Sequence, residues 1–378
     1  MRASRLSDER GVALAVAIFA LVVIGALIAG TFFAGRLEQQ TGRNTLFVAQ
    51  AAEAAEAGLS DAISSGSGAT YAAMPLGGSV DLADLTLSGH LSATRSVSRL
   101  TSSVYLIRAL GNRTDAGGNV LATRSAGSLV RMAMPDLQIK GGLTALGDVV
   151  VTGNSTVSGN DQIPAAWATG VSCPALDTVA GIRYNGSLSA GGSSQISGDP
   201  PMHSDPTLNS SNIFGNSSFE QLKALRTLTL TGNISGLAAA VTGTPPRCNT
   251  SVQNNWGAPT DPASPCFNYF PIIYHYGNLS LSGNGAGQGI LLVEGNLNAQ
   301  GQIDFYGPVI VTGEVDIRGT GSDAVKFYGG VLAQDVQLDD SRLSGNATVN
   351  YSSCAIQRAL QGSATIQPLS ERAWVQLY

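Results

Sequence analysis

The order of apolar and polar residues divides the chain into an apolar run, a helical stripe and many short β-type runs. The apolar run comes first: residues 12–35, within ERGVALAVAIFALVVIGALIAGTFFAGR, carry no charged side chain. A helix of that length spans roughly 36 Å, which exceeds a hydrocarbon core of about 30 Å. The apolar part of a secretory signal is only about 7–15 residues long and ends at a small-residue cleavage site. The pattern therefore predicts a membrane-spanning helix and not a signal that is removed whole.

The charges that flank the apolar run predict its orientation. Arg2, Arg5 and Arg10 precede it, and short segments rich in basic residues stay on the cytoplasmic side of a membrane. Everything after Arg36 is therefore expected outside the cytoplasm. The residues that we take as markers of the membrane anchor are Val12, Phe19, Val23, Leu27 and Phe32.

A second helical pattern continues directly from the apolar run, over residues 36–65. Apolar or small residues recur at spacings that are sums of three and four, which is the stripe of one helix face. Glu53 and Glu56 lie off that stripe, whereas Gly42 and Gly58 interrupt the segment as bends or close packing points. We predict one helix that starts in the membrane and extends well beyond it. The stripe consists of Leu37, Thr41, Val48, Ala52, Ala55, Leu59 and Ala62.

Between residues 66 and 135 the pattern changes from helix to strand. The runs LSATRSVSRL, SSVYLIRALG and NVLATRSAGSLVRMAM are prone to form β-strands and are separated by turn signals such as GNRTDAGGN. We predict a small antiparallel sheet that packs on the helix.

The third part, residues 136–352, repeats itself. FYGPVIVTGEVDIRG matches FYGGVLAQDVQLDD at a shift of 22. GILLVEGNLNAQG matches FYGPVIVTGEVDIRG at a shift of 18. Periods near 20 are typical of solenoid coils, each of which must stack on its neighbours to bury its apolar side. We predict a partial parallel β-solenoid with insertions at residues 164–181 and 200–222. The alternative is an antiparallel β-sandwich.

The repeat also predicts which residues of neighbouring coils contact one another. The last residues of the chain follow a different pattern. Residues 353–378 indicate a helix from Ser353 to Leu360 and a last strand, with Trp374 covering an open end of the coil. The predicted fold class is α+β with an all-β majority. The expected stack places Val331, Ala333, Val336 and Leu338 on Val309, Val311, Val315 and Ile317.

Composition restricts the function classes. The net charge is −5 and only 12% of the residues are charged, so nothing favours nucleic acid as a partner. The three histidines stand alone and no CxxC occurs, so neither a metal nor a cofactor is predicted. The four cysteines follow the membrane run and suggest two disulfides, for which three connectivities are open. We favour the pair Cys248–Cys266, which closes a Pro- and Asn-rich loop, and leave Cys173 and Cys354 as the other candidates.

Two stretches together resemble a known family. RGVALAVAIFALVVIGALIAG followed by LFVAQAAEAAEAGL is similar to the N-terminus of PilX-like minor pilins of the type IV pilus system, over roughly residues 9–59. The glycine-punctuated runs GILLVEGNLNAQG and GPVIVTGEVDIRG also resemble the β region of large PilX-like proteins.

The resemblance implies a processing site and a place of action. Residues 1–11 would be a leader that prepilin peptidase removes after Gly11, which leaves Val12 as a new and typically methylated N-terminus. The partners would be that peptidase and other pilins or pseudopilins, bound through the N-terminal helix. The location would be the bacterial inner membrane, with a single span and a periplasmic C-terminal part, and the cell surface after assembly. Val16 stands where most major pilins carry a glutamate, which favours a minor, initiating or tip role.

Two alternatives come from other classes of protein. A membrane-tethered β-helix enzyme acting on carbohydrate would need paired carboxylates, and Asp304 and Asp316 could meet from adjacent coils. Glu314 and Asp316 alternate with apolar residues and are expected on the wet face of a strand. We therefore assign no catalytic residue and expect no enzymatic activity, although a surface or glycan ligand remains compatible with the pattern. A signal-anchored surface adhesin without any link to pili is the third hypothesis.

Overall fold

The computed structural model describes residues 10–64, 66, 68–72, 74–168, 171, 173, 177–319, 324–333, 341–344, 346–369 and 374–377. These residues include a short 3₁₀ helix, Ala165–Trp167. The α-helices are α1 (Arg10–Ser64), α2 (Gly68–Ala72), α3 (Phe219–Ala224) and α4 (Ser353–Gly362).

The four strands before residue 140 have nine residues or more, whereas most described strands after it have five or fewer. The first thirteen are β1 (Ser79–Leu87), β2 (Leu91–Arg99), β3 (Val104–Thr114), β4 (Val120–Ala133), β5 (Gly141–Ala145), β6 (Val149–Val151), β7 (Thr156–Ser158), β8 (Ala180–Tyr184), β9 (Leu188–Ala190), β10 (Gln195–Ser197), β11 (Met202–Ser204), β12 (Leu228–Leu230) and β13 (Ile234–Ser235). The others are β14 (Val241–Thr242), β15 (Arg247–Cys248), β16 (Ile272–Tyr276), β17 (Leu279–Ser282), β18 (Asn284–Gln288), β19 (Ile290–Glu294), β20 (Leu297–Gln300), β21 (Gln302–Val311), β22 (Val315–Arg318), β23 (Lys326–Ala333), β24 (Ser341–Ser344), β25 (Thr348–Tyr351), β26 (Thr365–Pro368) and β27 (Trp374–Leu377).

The chain divides into two compact units. The first contains residues 1–65, 76–130 and 368–378, and the second contains residues 66–75 and 131–367. The long apolar N-terminal helix and the mostly β-stranded C-terminal region that the sequence predicts are both confirmed.

The first unit is a helix packed on an antiparallel sheet. Strands β1, β2, β3 and β4 follow one another across this sheet in sequence order. Small or apolar residues of α1, Ala51, Ala55 and Leu59, are at most 1% exposed, and they belong to the predicted stripe or its immediate neighbours. Their burial shows why residues 36–64 form a helix here, since an amphipathic stripe gains most of its stability from tertiary packing.

The last strand does not lie where we expected it. β27, which begins at Trp374, pairs antiparallel with Ser125–Ser128 of β4 in the small sheet. The last strand therefore belongs to the small sheet; the side chain of Trp374, which we expected to cover an open end of the coil, lies outside the described part of the structure. An exposed sheet edge offers unpaired backbone groups along its whole length. The tail can therefore form more backbone hydrogen bonds there than it would at an open end of the coil.

The second unit is built mainly from two sheets of parallel strands, and β14 and β15 form a separate antiparallel pair. In the larger sheet, successive neighbours are β12, β16, β19, β21, β23, β5, β8 and β11. In the smaller sheet they are β13, β17, β20, β22, β24, β6 and β9.

The register of these strands matches the repeat only in part. Val309 pairs with Val331 and Val311 with Ala333, as predicted. In the smaller sheet, however, Ile317 pairs with Leu343, so the shift along the chain is longer there than between Val309 and Val331. Ile317 therefore does not pair with Leu338 as expected; Val336 and Leu338 themselves lie outside the described residues.

Two hydrophobic cores result from this arrangement. Alternate residues of both sheets, such as Val293 and Ala299, form an inner core whose members are mostly inaccessible to solvent. The intervening residues of the larger sheet, such as Leu292, form an outer core with α4 and with Trp167 of the first insertion. From β16 to β23 the larger sheet is thus covered on both faces.

An aromatic cage holds α4 against the outer core. The Arg358 guanidinium lies 4.3 Å from the ring centre of Trp167, 4.6 Å from that of Phe267 and 4.9 Å from that of Phe270. Burial lowers the pKa of Arg358 to about 10. Cation–π contacts of this kind compensate part of the desolvation of the charge.

Candidate functional site

The first half of α1 exposes apolar side chains and packs against no other described element. The helix contains a segment with a mean hydropathy of 3.0, none of which is buried against the rest of the described chain. The five marker residues all lie on it, with exposed fractions from 39% for Val23 to 74% for Phe32; the others are Val12, Phe19 and Leu27. The helix is long and apolar enough to cross a membrane, a property that an N-terminal signal sequence shares. A continuous apolar surface of this size marks an interaction with lipid or protein.

The expected processing site lies at the start of this helix. α1 begins at Arg10 and continues through Gly11 and Val12 without interruption. Most of the expected leader, residues 1–9, lies outside the described residues. Val12 is 67% exposed.

The second half of α1 approaches the sheet unusually closely. A Cβ built on Gly58 would lie 2.8 Å from Cβ of Ala93 and 3.1 Å from Cβ of Ala109. A Cβ on Gly111 of β3 would overlap backbone atoms of Ala51 and Ala55. Gly58 is therefore a close packing point, as the sequence suggested. Glycine on both surfaces lets the helix backbone rest directly on the strands.

Polar contacts fix the rotation of α1 on the sheet. Arg95 of β2 forms an ion pair with Asp61 of the helix. Arg113 Nε donates to Oε1 of Gln50 over 2.9 Å, and its guanidinium lies 5.6 Å from the ring centre of Phe47. The half of α1 that follows the apolar run is thus held rigidly, while the apolar half has no partner among the described residues.

Both disulfides lie in the second unit. Cys248 is bonded to Cys266, the pairing that the sequence analysis favoured, and Cys173 is bonded to Cys354 of α4. The first bond closes a loop whose buried Asn255 also donates from Nδ2 to the carbonyl oxygen of Asn249 over 2.8 Å.

Removal of the Cys248–Cys266 bond is expected to loosen this loop. The cysteines are 18 residues apart, and a bond across a loop of that length stabilises a protein by about 3 kcal/mol, chiefly by restricting the unfolded chain. The double variant Cys248→Ser, Cys266→Ser should be cleaved faster by protease between the two positions and should unfold at lower denaturant. The control is Ser251→Ala, an exposed change in the same loop. Equal cleavage rates in the two variants would contradict the expectation.

A polar groove lies on the smaller sheet. Ser280, Asn298 and Asp316 occupy the outward positions of β17, β20 and β22. Asn298 is in register with both Ser280 and Asp316. The groove has a volume of about 310 Å³, and its lining also includes Asn233, Asn278, Asn296 and Glu314.

Three asparagines at the groove form a ladder with the backbone. Oδ1 of Asn278 accepts from the N–H of Asn296 over 2.9 Å, and Oδ1 of Asn296 accepts from the N–H of Glu314 over 3.1 Å. Oδ1 of Asn233 accepts from the N–H of Ser280 over 2.9 Å. Each amide is therefore locked in one orientation.

The carboxylates do not form the pair that catalysis would need. Asp304 lies in the larger sheet between Ala286 and Lys326, whereas Asp316 lies in the smaller sheet. The expectation that Asp304 and Asp316 could meet is wrong, because their strands belong to different sheets. Burial raises the pKa of Asp304, and nearby Lys326 opposes that shift.

A charged cluster that the sequence did not suggest holds α3 to the larger sheet. Oε2 of Glu294 accepts from Lys223 Nζ over 2.6 Å and from the hydroxyl of Tyr274. The hydrogen bond from Lys223 is the main reason why the pKa of Glu294 lies below its usual value. Within the described ranges, no group of three or more His, Cys, Asp or Glu side chains is arranged to hold a metal ion.

Similarity to known proteins identifies no family for this chain. No protein-family model, curated protein or solved structure matches the chain.

The sequence contained a signal for the groove that we did not use. Asn278 and Asn296 occupy the same place in the two similar runs GNLSLSG and GNLNAQG. The pattern does not reveal that their side-chain oxygens face the next strand. That orientation depends on the stacking of strands that are distant in the chain.

Proposed function

We propose that this chain is a minor pilin-like structural protein, anchored in a membrane by α1 and carrying a β-rich domain outside it. One observation carries the proposal: a single unbroken helix is fully exposed and apolar in its first half and packed on an antiparallel sheet in its second. The first half can lie in lipid before assembly and against other helices afterwards, since both environments cover the same apolar surface.

We further propose that the β-rich domain is a partial parallel β-solenoid. Support comes from the parallel pairing in both sheets and from a regular shift along the chain, which pairs Leu291 with Val309 and Leu297 with Val315. The inner core, to which both sheets contribute, also favours it. A sandwich of antiparallel strands, the alternative, is not supported by this pairing.

The proposed place of action is the bacterial inner membrane and then a type IV pilus or a related secretion filament. In the PilX-like interpretation, prepilin peptidase and other pilin helices are the partners. Val16 is apolar and 59% exposed, so this position offers a neighbouring subunit no carboxylate. That property suits a subunit used for priming, for the tip or for adhesion better than one used in bulk.

Processing at Gly11 is the direct test. In cells that contain prepilin peptidase, the mature protein is expected to start at Val12, with or without an added methyl group. Gly11→Val should abolish processing and leave the full-length chain in the membrane, because the peptidase requires a small residue before the cut. Intact-mass measurement and N-terminal sequencing of the purified membrane protein give the answer.

The matched control is Gly25→Val, a glycine in the same apolar run with open space around it. It should be processed normally. A start at Met1 in the unmodified protein, or an unchanged mature mass in Gly11→Val, would refute the pilin-like proposal. The signal-anchored adhesin would then be the better explanation.

A further inference from the structure

We propose that the groove on the smaller sheet binds a neutral, hydroxyl-rich glycan chain. This inference concerns the outer surface of the second unit and does not depend on processing at Gly11. The groove is formed by side chains from four consecutive positions in the stack, on β13 or its adjoining turn, β17, β20 and β22.

The face that carries the groove is available to a ligand. From β16 to β23 the larger sheet is covered on both sides by the two cores, whereas the smaller sheet contributes only its inward residues, such as Leu281 and Ala299, to the inner core. Its outward residues Asn298 and Asp316 are partly exposed and polar. A parallel sheet is usually covered on both faces, so this open polar face is a feature that calls for a function.

The ladder asparagines present oriented hydrogen-bond donors. Because each Oδ1 accepts from the backbone of the neighbouring strand, the Nδ2 groups of Asn233, Asn278 and Asn296 have fixed directions. Within the described part of the chain, these three Nδ2 groups make no hydrogen bond. A ligand that accepts from them does not have to freeze the side chains, and this preorganisation lowers the entropic cost of binding.

The charges of the groove favour hydroxyl groups over ions. Asp316 is paired with Arg318, whose Nε lies 2.9 Å from Oδ1 of Asp316, so this ion pair cancels its own charge. Glu314 supplies one further acceptor. Alternating amide donors and carboxylate acceptors match the hydroxyls of a sugar, each of which both donates and accepts. Among the described side chains at the groove, Glu314 and Asp316 share the guanidinium of Arg318, so a phosphate or sulfate would meet a net negative charge there.

The size of the groove fits part of an extended chain. Neighbouring strands are about 4.8 Å apart, a distance close to the length of one sugar residue in an extended β-linked polymer. The volume of about 310 Å³ lies at the lower end of the range of roughly 300–1,000 Å³ for ligand sites. It accommodates two or three sugar residues of a longer chain that runs across the strands.

Calorimetric titration of the full chain in lipid nanodiscs tests the inference. Nanodiscs are needed because sugar-headed detergents would compete for the site. The probes are cellohexaose and chitohexaose, with a heparin hexasaccharide as the anionic comparison. We expect saturable binding of at least one neutral probe and none of the sulfated one.

Two variants localise the binding. Asn298→Ala removes an amide that makes no hydrogen bond within the described chain, so the fold should be unaffected. Asn278→Asp keeps the ladder oxygen but replaces the donor with an acceptor. Each should raise the Kd of the neutral probe at least tenfold, whereas Asn284→Ala, an exposed asparagine of β18 outside the groove, should change it less than twofold.

Three results would overturn the proposal: no binding of either neutral probe, binding of the sulfated probe alone, or equal affinities in Asn298→Ala and the unmodified protein. A protein that starts at Val12 but fails these titrations would retain the pilin-like function and lose the glycan site. A protein that binds the neutral probe but starts at Met1 would retain the glycan site and lose the pilin-like function.

Discussion

Gly111→Ala is expected to destabilise the first unit by about 3 kcal/mol. The added methyl would overlap the carbonyl oxygen of Ala51 and the backbone nitrogen of Ala55. Both are backbone atoms of α1, so the clash can be relieved only by moving the whole helix from the sheet. Overpacking usually costs about 1–3 kcal/mol, and a rigid neighbour places this variant at the upper end. Alanine is otherwise tolerated at least as well as glycine within a strand, so local propensity does not explain a loss.

Hydrogen exchange of residues 48–64 and of β3 measures this effect locally, and thermal unfolding measures it as a whole. The matched control is Gly42→Ala on the same helix, where an added Cβ meets nothing within 4 Å. That change should stabilise the helix by up to about 1 kcal/mol, the difference in helix propensity between the two residues. If Gly111→Ala exchanges and melts like Gly42→Ala, the close contact between α1 and β3 is not needed for stability.

Val23→Arg is expected to remove most of the protein from the membrane. Val23 lies at the middle of the charge-free residues 12–35, and an arginine at the centre of a spanning helix costs about 3 kcal/mol on insertion scales. That free energy corresponds to a decrease of roughly a hundredfold in the partition coefficient. The fraction that stays with membranes after an alkaline wash is the measurement.

Leu46→Arg is the matched control for this substitution. Leu46 is 54% exposed on the same helix, but it lies beyond the apolar run and so outside the expected span. The control should remain in the membrane fraction to the same extent as the unmodified protein. Equal retention of Val23→Arg and Leu46→Arg would mean that the apolar half of α1 is not what attaches the chain to the membrane.

The features that were predicted correctly depend on residues close together in the chain. The expected helix over residues 12–65 corresponds to α1, which ends at Ser64, because its stripe and its charge-free run are local patterns. The helix expected at Ser353–Leu360 is α4, which extends to Gly362. The stacking of Val309 on Val331 also followed from the sequence, since two matching runs so close together in the chain define a register.

The features that were missed depend on distant segments. In the larger sheet, the first strand of the second unit, β5, lies between β8 and the late strand β23. The strands that come first and last in the chain are therefore neighbours inside this sheet. Residues 205–227 connect β11 with β12, which lie at opposite ends of it. No local pattern encodes this order, because identical β runs can pair with any neighbour of suitable register.

The same limit applies to the candidate sites. The sequence by itself determined the long apolar helix, the repeated strands and the favoured Cys248–Cys266 bond, each from spacing within a short stretch. Only the tertiary structure decided that Cys173 meets Cys354 across 181 residues, that β27 joins the small sheet, and that Asn233 shares a groove with Asn278 and Asn296. Such contacts gain their free energy only after long loops have closed, so the packing of the whole domain selects them.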